Sequence, residues 1–152
     1  MSTVFNFTFV PWFRAVAPYI HMHRGKTFVV GVVGEAIAAG KLASIATDLA
    51  LIQSMGVKIV LVHGFRPQVN EQLRAKGHEP RYAHGLRITD EVALDSAQEA
   101  AGQLRFEIEA AFSQGLPNTP MAGSRVRVIS GNFLTARPMG IIDGVDFRHT
   151  GV

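Results

Sequence analysis

Two short stretches place glycines and a cation where an anion could sit. The first is Gly31–Val32–Val33–Gly34–Glu35 and the second is His63–Gly64–Phe65–Arg66–Pro67–Gln68. Each follows an apolar, β-branched run, and open α/β sheets bind ligands beyond the carboxyl ends of their strands. Glycines let backbone N–H groups approach an anion, and a following helix N-terminus adds partial positive charge. The plainer reading is that Gly34 and Gly64 only permit sharp turns. Arg66, and Arg87 in "HGLRITD", carry guanidinium forks that suit a carboxylate or a phosphate. A lone loop arginine also serves simply as surface charge.

Other chemistries are poorly supported. There is no G-x-G-x-x-G, and "GEAIAAGKL" misses the Walker pattern. It has five residues between its glycines, and Leu42 stands where Ser or Thr would hold magnesium. The chain has no cysteine, which removes disulfides, thiolate zinc sites and cysteine nucleophiles. His21 and His23 point to different faces of a helix, and no grouping of His, Asp and Glu has metal-ligand spacing. No Gly-x-Ser-x-Gly elbow exists. The sequence therefore names no catalytic residue and no metal site.

The elements that hold these loops follow from periodicity. Thr27–Val33 and Val57–Val62 read as continuous apolar strands buried on both faces. Between them, Leu42, Ile45, Ala46, Leu49 and Ile52 recur at helical spacing over 41–55, with Gly56 as the stop. Strand, helix and strand make a βαβ unit, which implies parallel pairing. A helix from about Pro67 to Lys76 follows, closed by Gly77. The stretch "HEPRYAHGLRIT" reads as a polar loop, and Thr89 as the N-cap of a long helix running through Phe106 to Gly115. "LPNTPMAG" is a loop, and "RVRVISGNFLTARPMG" reads as two short strands around Ser130–Gly131–Asn132. "IIDGVDFRHTGV" begins another hairpin. At the front, Phe9–Met22 reads as a helix with Pro11 in its first turn and Pro18 kinking or ending it. Its Trp12, Phe13 and Tyr19 either pack on the core or form a subunit contact.

The 152 residues suit one domain, and 47% hydrophobic content argues against disorder. A net charge of +3 with alternating signs reads as solvated surface, not a nucleic-acid patch. No stretch is apolar enough for a membrane helix, and the front end has its charge after its apolar run, unlike a secretory signal. The expectation is a cytoplasmic protein.

Taken together, "GKTFVVGVVGEAI", "DLALIQSMGVKIVLVHGFRPQVNEQL" and "HGLRITD" resemble the amino-acid kinase family, acetylglutamate kinases in particular. The resemblance implies a three-layer αβα sandwich with a mainly parallel sheet, here truncated, plus a β-hairpin region at the C-terminal end. In such kinases the first strand resembles F-V-I-K-Y-G-G, with the lysine on the nucleotide phosphates, and the second loop reads H-G-G-G-P. Here Gly31 takes the lysine position, Val33–Gly34 replace the paired glycines, and Phe65–Arg66 replace two loop glycines. Phosphoryl transfer depends on positioned positive charge, which glycine cannot supply.

The departures have their own match. "VPWFRAVAPYIHMHRGKTFVV", "HGFRPQ", "PNTPMAG" and "VISGNFLTARPMGIIDGVDF" resemble the family of bacterial two-domain N-acetylglutamate synthases. That resemblance implies a regulatory kinase-like domain that senses L-arginine, followed by an acetyltransferase domain that moves acetyl from acetyl-CoA to glutamate. It divides the chain into an N-terminal segment, 1–24, and the front part of a kinase-like domain, 25–152, without the acetyltransferase domain. No cofactor is then expected on this chain. Arg87 inherits a ligand-carboxylate contact, Tyr19 a contact with arginine, and Trp12 and Phe13 a place in a hexamer-type ring. An acetylglutamate-kinase-type phosphotransferase is the alternative.

Overall fold

The computed structural model describes residues 8–115, 122 and 126–152. Helix α1 (Phe9–His23) leads into β1 (Thr27–Val32), then α2 (Gly34–Ala38), α3 (Leu42–Ser54) and β2 (Lys58–His63). Helix α4 (Arg66–Ala75) follows, then the hairpin β3 (Tyr82–Ala83) and β4 (Leu86–Arg87), the long α5 (Glu91–Ser113), and a hairpin of β5 (Ile141–Ile142) and β6 (Val145–Asp146). The fold class is α/β. Strands β1 and β2 pair in parallel from Thr27 with Lys58 to Val32 with His63, as a βαβ crossover requires.

The strands differ from expectation in one respect. Both alternate between outward and inward positions instead of being buried on both faces. Val30, Ile59 and Leu61 face a core made of Ala46 and Leu49 from α3 and Ile108 and Phe112 from α5. On the other face Val29 is 71% exposed and Val62 is 53% exposed. An apolar run reports that both faces avoid water, and the described residues supply the covering layer for only one of them.

A second core joins α4 to α5, with Val69 and Leu73 against Ala93 and Ala100. Helix α5 serves both cores because Ala93, Ser96, Ala100, Leu104, Ile108 and Phe112 fall on one stripe at helical spacing. Phe106 lies off that stripe and is 71% exposed. The N-cap of α5 is Asp90 and not Thr89: Asp90 Oδ1 accepts from the Ala93 N–H at 3.0 Å. Pro18 does not end α1, which runs on to His23.

The polar loop at 78–89 contains a hairpin. His84 and Gly85 turn it with φ of 50° and 78°, and Asp143 and Gly144 turn the β5–β6 hairpin with 47° and 78°. Positive φ at both central residues matches the twist of paired strands, and glycine at the second place lowers its cost. The two strands expected over 125–140 are not formed among the described residues, 126–140. Residues 126–140 are irregular apart from one bridge between Pro138 and Gly151. The R-V-R-V alternation still turns Val126 and Val128 onto the α3–α5 core. The expected loop "LPNTPMAG" lies, except for Ala122, outside the described residues.

Candidate functional site

The carboxyl ends of β1 and β2 lie side by side, and so do the two loops that leave them. A Cβ on Gly34 would meet Gly64 C at 3.0 Å, Phe65 N at 3.0 Å and Pro67 Cδ at 2.9 Å. A Cβ on Gly64 would meet Gly34 N at 3.1 Å. Neither glycine has positive φ, so what they provide is close backbone approach between loops. Gln68 Nε2 donates to Gly34 O at 3.2 Å and ties the contact shut.

Gly31 is a different case. A Cβ there would meet nothing within 4 Å, and its φ is not positive. Neither space nor backbone conformation demands a glycine at this place in β1. A larger residue, a lysine included, has room to leave the strand there.

Phe65 precedes the first turn of α4 with φ −148° and ψ 24° and makes no side-chain cap. Its ring packs on the α4–α5 core instead of crowding the loop. This is how an aromatic residue stands where the kinase-like pattern has glycine.

Arg66 and Arg87 are brought together by Tyr82, a residue that no motif or spacing singles out. Tyr82 holds Arg66 Cζ 4.3 Å and Arg87 Cζ 5.1 Å from its ring centroid, both within cation–π range. Asn70, one turn along α4 from Arg66, fixes the group. Its Oδ1 accepts from Tyr82 Oη at 2.7 Å and from Arg87 Nη2 at 2.7 Å. Arg87 Nη2 also donates to Arg66 O at 3.3 Å. The i, i+4 spacing of Arg66 and Asn70 was the available signal for this pairing.

The electrostatics are those of an unneutralised cation pair. Neither arginine pairs with a carboxylate among the described residues. Burial pushes the Arg87 guanidinium below its ordinary value, Tyr82 opposes that shift, and Arg66 adds to it. The group nevertheless stays charged at neutral pH. Arg87 Nη1 is buried without a hydrogen-bond partner among the described residues. With the N-terminus of α4 alongside, the arrangement favours a carboxylate-sized anion.

The C-terminal segment closes on the same group. Thr150 Oγ1 donates to Arg87 O at 2.6 Å, so in its 2.9 Å contact with Thr89 Oγ1 the Thr89 hydroxyl is the donor. Phe147 is fully buried beneath this contact, and Thr89 N–H donates to its carbonyl at 3.4 Å.

The remaining sequence candidates are elsewhere. Tyr19 is 61% exposed on α1, and Trp12 and Phe13 are 59% and 48% exposed. Phe9 stacks against Phe13 and lies tilted against Trp12, so these aromatics form a surface cluster with no residue of α1 buried. Among the described residues there is no group of three His, Cys, Asp or Glu able to hold a metal. None of their helices is long and apolar enough to cross a membrane.

Comparison with known proteins bears on this geometry. The amino acid kinase family profile matches residues 26–150. An amino-acid acetyltransferase of Ralstonia nicotianae is 60% identical over 144 residues, covering 95% of this chain and 32% of the relative. One from Ectopseudomonas mendocina is 51% identical over 143 residues, covering 94% and 33%. Among solved structures, N-acetylglutamate synthase from Neisseria gonorrhoeae complexed with coenzyme A and L-arginine superposes with TM-score 0.80 at 42% identity, over 95% of this chain and 34% of that one. The same enzyme with coenzyme A and N-acetyl-glutamate gives 0.79 at 43% identity, over 94% and 32%. The chain spans about a third of the length of the proteins it matches.

Proposed function

This chain belongs to the amino acid kinase family, and we propose that it serves as the kinase-like, arginine-sensing part of an N-acetylglutamate synthase. The parent reaction is transfer of acetyl from acetyl-CoA to L-glutamate, the entry into arginine biosynthesis. Acetyl-CoA is then a substrate of the acetyltransferase part and not a ligand of these residues. The observation that carries the reading is Gly31. A family whose chemistry needs a cation at the end of β1 has here a residue without a side chain, in a place with room for one.

Within this reading Arg87 contacts the carboxylate of a small ligand, with Arg66 and the loops at Gly34 and Gly64 as its surround. Tyr19 contacts the arginine effector. Trp12 and Phe13 contribute to assembly of a homo-oligomeric ring, and the location is the cytoplasm. Support comes from the acetyltransferase relatives at 60% and 51% identity and from the paired cations around Tyr82.

The test is direct. Incubated with ATP, magnesium and N-acetylglutamate, the purified chain is expected to form no phosphorylated product. Titration with L-arginine is expected to give saturable heat that Tyr19→Ala weakens. Phosphoryl transfer would overturn the reading in favour of a working kinase. Arginine affinity unchanged by Tyr19→Ala would remove the effector assignment.

A further inference from the structure

Arg87 is held at its two ends by different parts of the chain. Its guanidinium is held by α4, where Nη2 donates to Asn70 Oδ1 at 2.7 Å and to Arg66 O at 3.3 Å. Both bonds use the same nitrogen, and Nη1 is buried without a partner among the described residues. The backbone of Arg87 has little support from its own hairpin. Strand β4 has two residues and pairs with β3 as Tyr82 with Arg87 and Ala83 with Leu86. Beyond them, Ile88 N–H donates to Arg81 O at 2.9 Å. Bonded and non-bonded pairs alternate along an antiparallel ladder, so Tyr82–Arg87 is a non-bonded pair. The Arg87 carbonyl therefore faces away from β3, and Thr150 Oγ1 meets it at 2.6 Å.

Residues 147–152 are well placed to bear on that carbonyl. On one side they pair with 137–140. Arg137 and Val152 exchange N–H to O bonds at 3.0 and 2.9 Å, Met139 N–H donates to Thr150 O at 3.0 Å, and Phe147 N–H donates to Gly140 O at 3.1 Å. On the other side they hold Thr89, whose carbonyl accepts from His149 N–H at 3.0 Å. The fully buried Phe147 ring anchors the segment, and His149 Nε2 meets Glu91 Oε1 at 2.8 Å at the start of α5. Arg148 turns the corner between them with φ of 53°, and its N–H donates to Asp146 Oδ1 at 2.9 Å. A left-handed residue other than glycine persists only where its surroundings hold it. The segment is therefore fixed on both sides. What it delivers to Arg87 is a directed pair of hydroxyls, Thr89 donating to Thr150 and Thr150 donating to Arg87 O.

We infer that Thr150 is a positioning residue for Arg87, and that 147–152 is the strap through which it acts. The inference rests on the proposed reading of Arg87 as the carboxylate contact. A guanidinium bonded through one nitrogen has a pivot, and its plane can still swing on a long stem. Fixing the backbone at the other end of the stem sets the plane, and with it the direction of Nη1. Two parallel bonds to a carboxylate need that plane set in advance. Asn70 thus supplies the pivot and Thr150 the alignment, so Arg87 keeps its ligand-ready pose only while the strap is docked.

The test reads the arginine itself and needs no ligand. Rotation about the Arg87 Cζ–Nε bond is measured by NMR in the intact chain. Arg105, paired with Glu109 on α5, is the internal standard. Amide exchange at Leu104 and Ile108 of the buried α5 stripe reports an intact core. Thr150→Val keeps the shape and removes the hydroxyl. It is expected to speed Arg87 rotation about tenfold, the scale of one hydrogen bond, with Arg105 unchanged. Thr150→Ser keeps the donor and is expected to match the parent. Thr89→Val removes the neighbouring hydroxyl but leaves the donor to Arg87 O, and it too is expected to match the parent. Thr150→Ala, smaller and equally without a donor, repeats the comparison should valine disturb the core. Unchanged Arg87 rotation in both donorless variants would overturn the proposal. So would equal acceleration by Thr150→Ser or Thr89→Val, or equal acceleration at Arg105. No carboxylate, effector or acetyl transfer enters the readout, so failure here leaves the functional reading standing, and failure there leaves the Arg87 result interpretable.

Discussion

A methyl group at Gly34 tests whether the paired loops are pressed together as described. In Gly34→Ala the new carbon would stand 2.9 Å from Pro67 Cδ and 3.0 Å from two backbone atoms of Gly64 and Phe65. Comfortable carbon contacts are about 3.5–4.0 Å. Two of the three obstacles are main chain and the third is a proline ring, so no rotamer change relieves them. Overpacking of this kind costs about 1–3 kcal/mol. Alanine recovers part of that, at most about 1 kcal/mol, because Gly34 begins α2 and loses chain entropy on folding. The expected net loss is about 1–2 kcal/mol. With a urea slope of about 1–3 kcal/mol per molar, the unfolding midpoint should fall by roughly 0.3–2 M. Gly31→Ala is the matched comparison, since its methyl meets nothing within 4 Å. It should leave the midpoint unchanged or raise it, because glycine weakens a strand interior. Urea unfolding followed by circular dichroism reads both. A Gly34→Ala midpoint at or above that of the parent would refute the close approach, and a fall in Gly31→Ala would refute the open site.

Three further outcomes follow from the structure. Asp90→Ala should cost about 1 kcal/mol through loss of the α5 cap. The Ala93 N–H, with Arg81 beside it, holds the Asp90 carboxyl below the usual carboxylate range. Its stabilisation is therefore present above the ordinary aspartate value and is lost as pH falls through the lowered one, so Asp90→Ala should flatten the acid limb of a melting-temperature profile. Phe147→Ala should destabilise by about 3–5 kcal/mol, because the ring is fully buried. It should also free Thr150 from Arg87, visible as altered chemical shifts at both residues. The double substitution Trp12→Ser with Phe13→Ser should leave the melting temperature nearly unchanged, since α1 buries no residue. If these side chains join subunits, it should shift sedimentation to smaller species, and an unchanged profile would remove that assignment.

How much of this was legible in the residues depends on length and on partners. Strands β1 and β2 and helices α3 and α4 were readable because each is an apolar pattern ended by a glycine or a polar turn. The Asp143–Gly144 hairpin was readable from its turn pair. Helix α2 was not, because five residues carry no period. The β3–β4 hairpin was missed because its strands have two residues each and its turn begins with His84, a less familiar partner for glycine. The alternation at 126–129 was a sound strand signal, but a ladder also needs a neighbour within reach, and no described residue provides one. The same reason explains why β1 and β2 read as buried on both faces.

The site was half visible. Arg66 and Arg87 could be named from their loops and from the resemblance. That they share Tyr82 and Asn70 depends on how the hairpin folds onto α4, which no local pattern encodes. The glycines were visible as residues, but their roles were not. Only the packing separates Gly34, which holds two loops together, from Gly31, which stands in open space.

Helix α5 has one more consequence. Its 23 residues make an unbroken rod about 34 Å long. One end starts at the Asp90 cap, where Arg81 pairs with the same carboxylate, and the other carries Phe112 into the core with Ala46 and Leu49. A stiff rod cannot tilt at one end alone. Displacing the cap would therefore move Phe112, and displacing Phe112 would be felt at the cap.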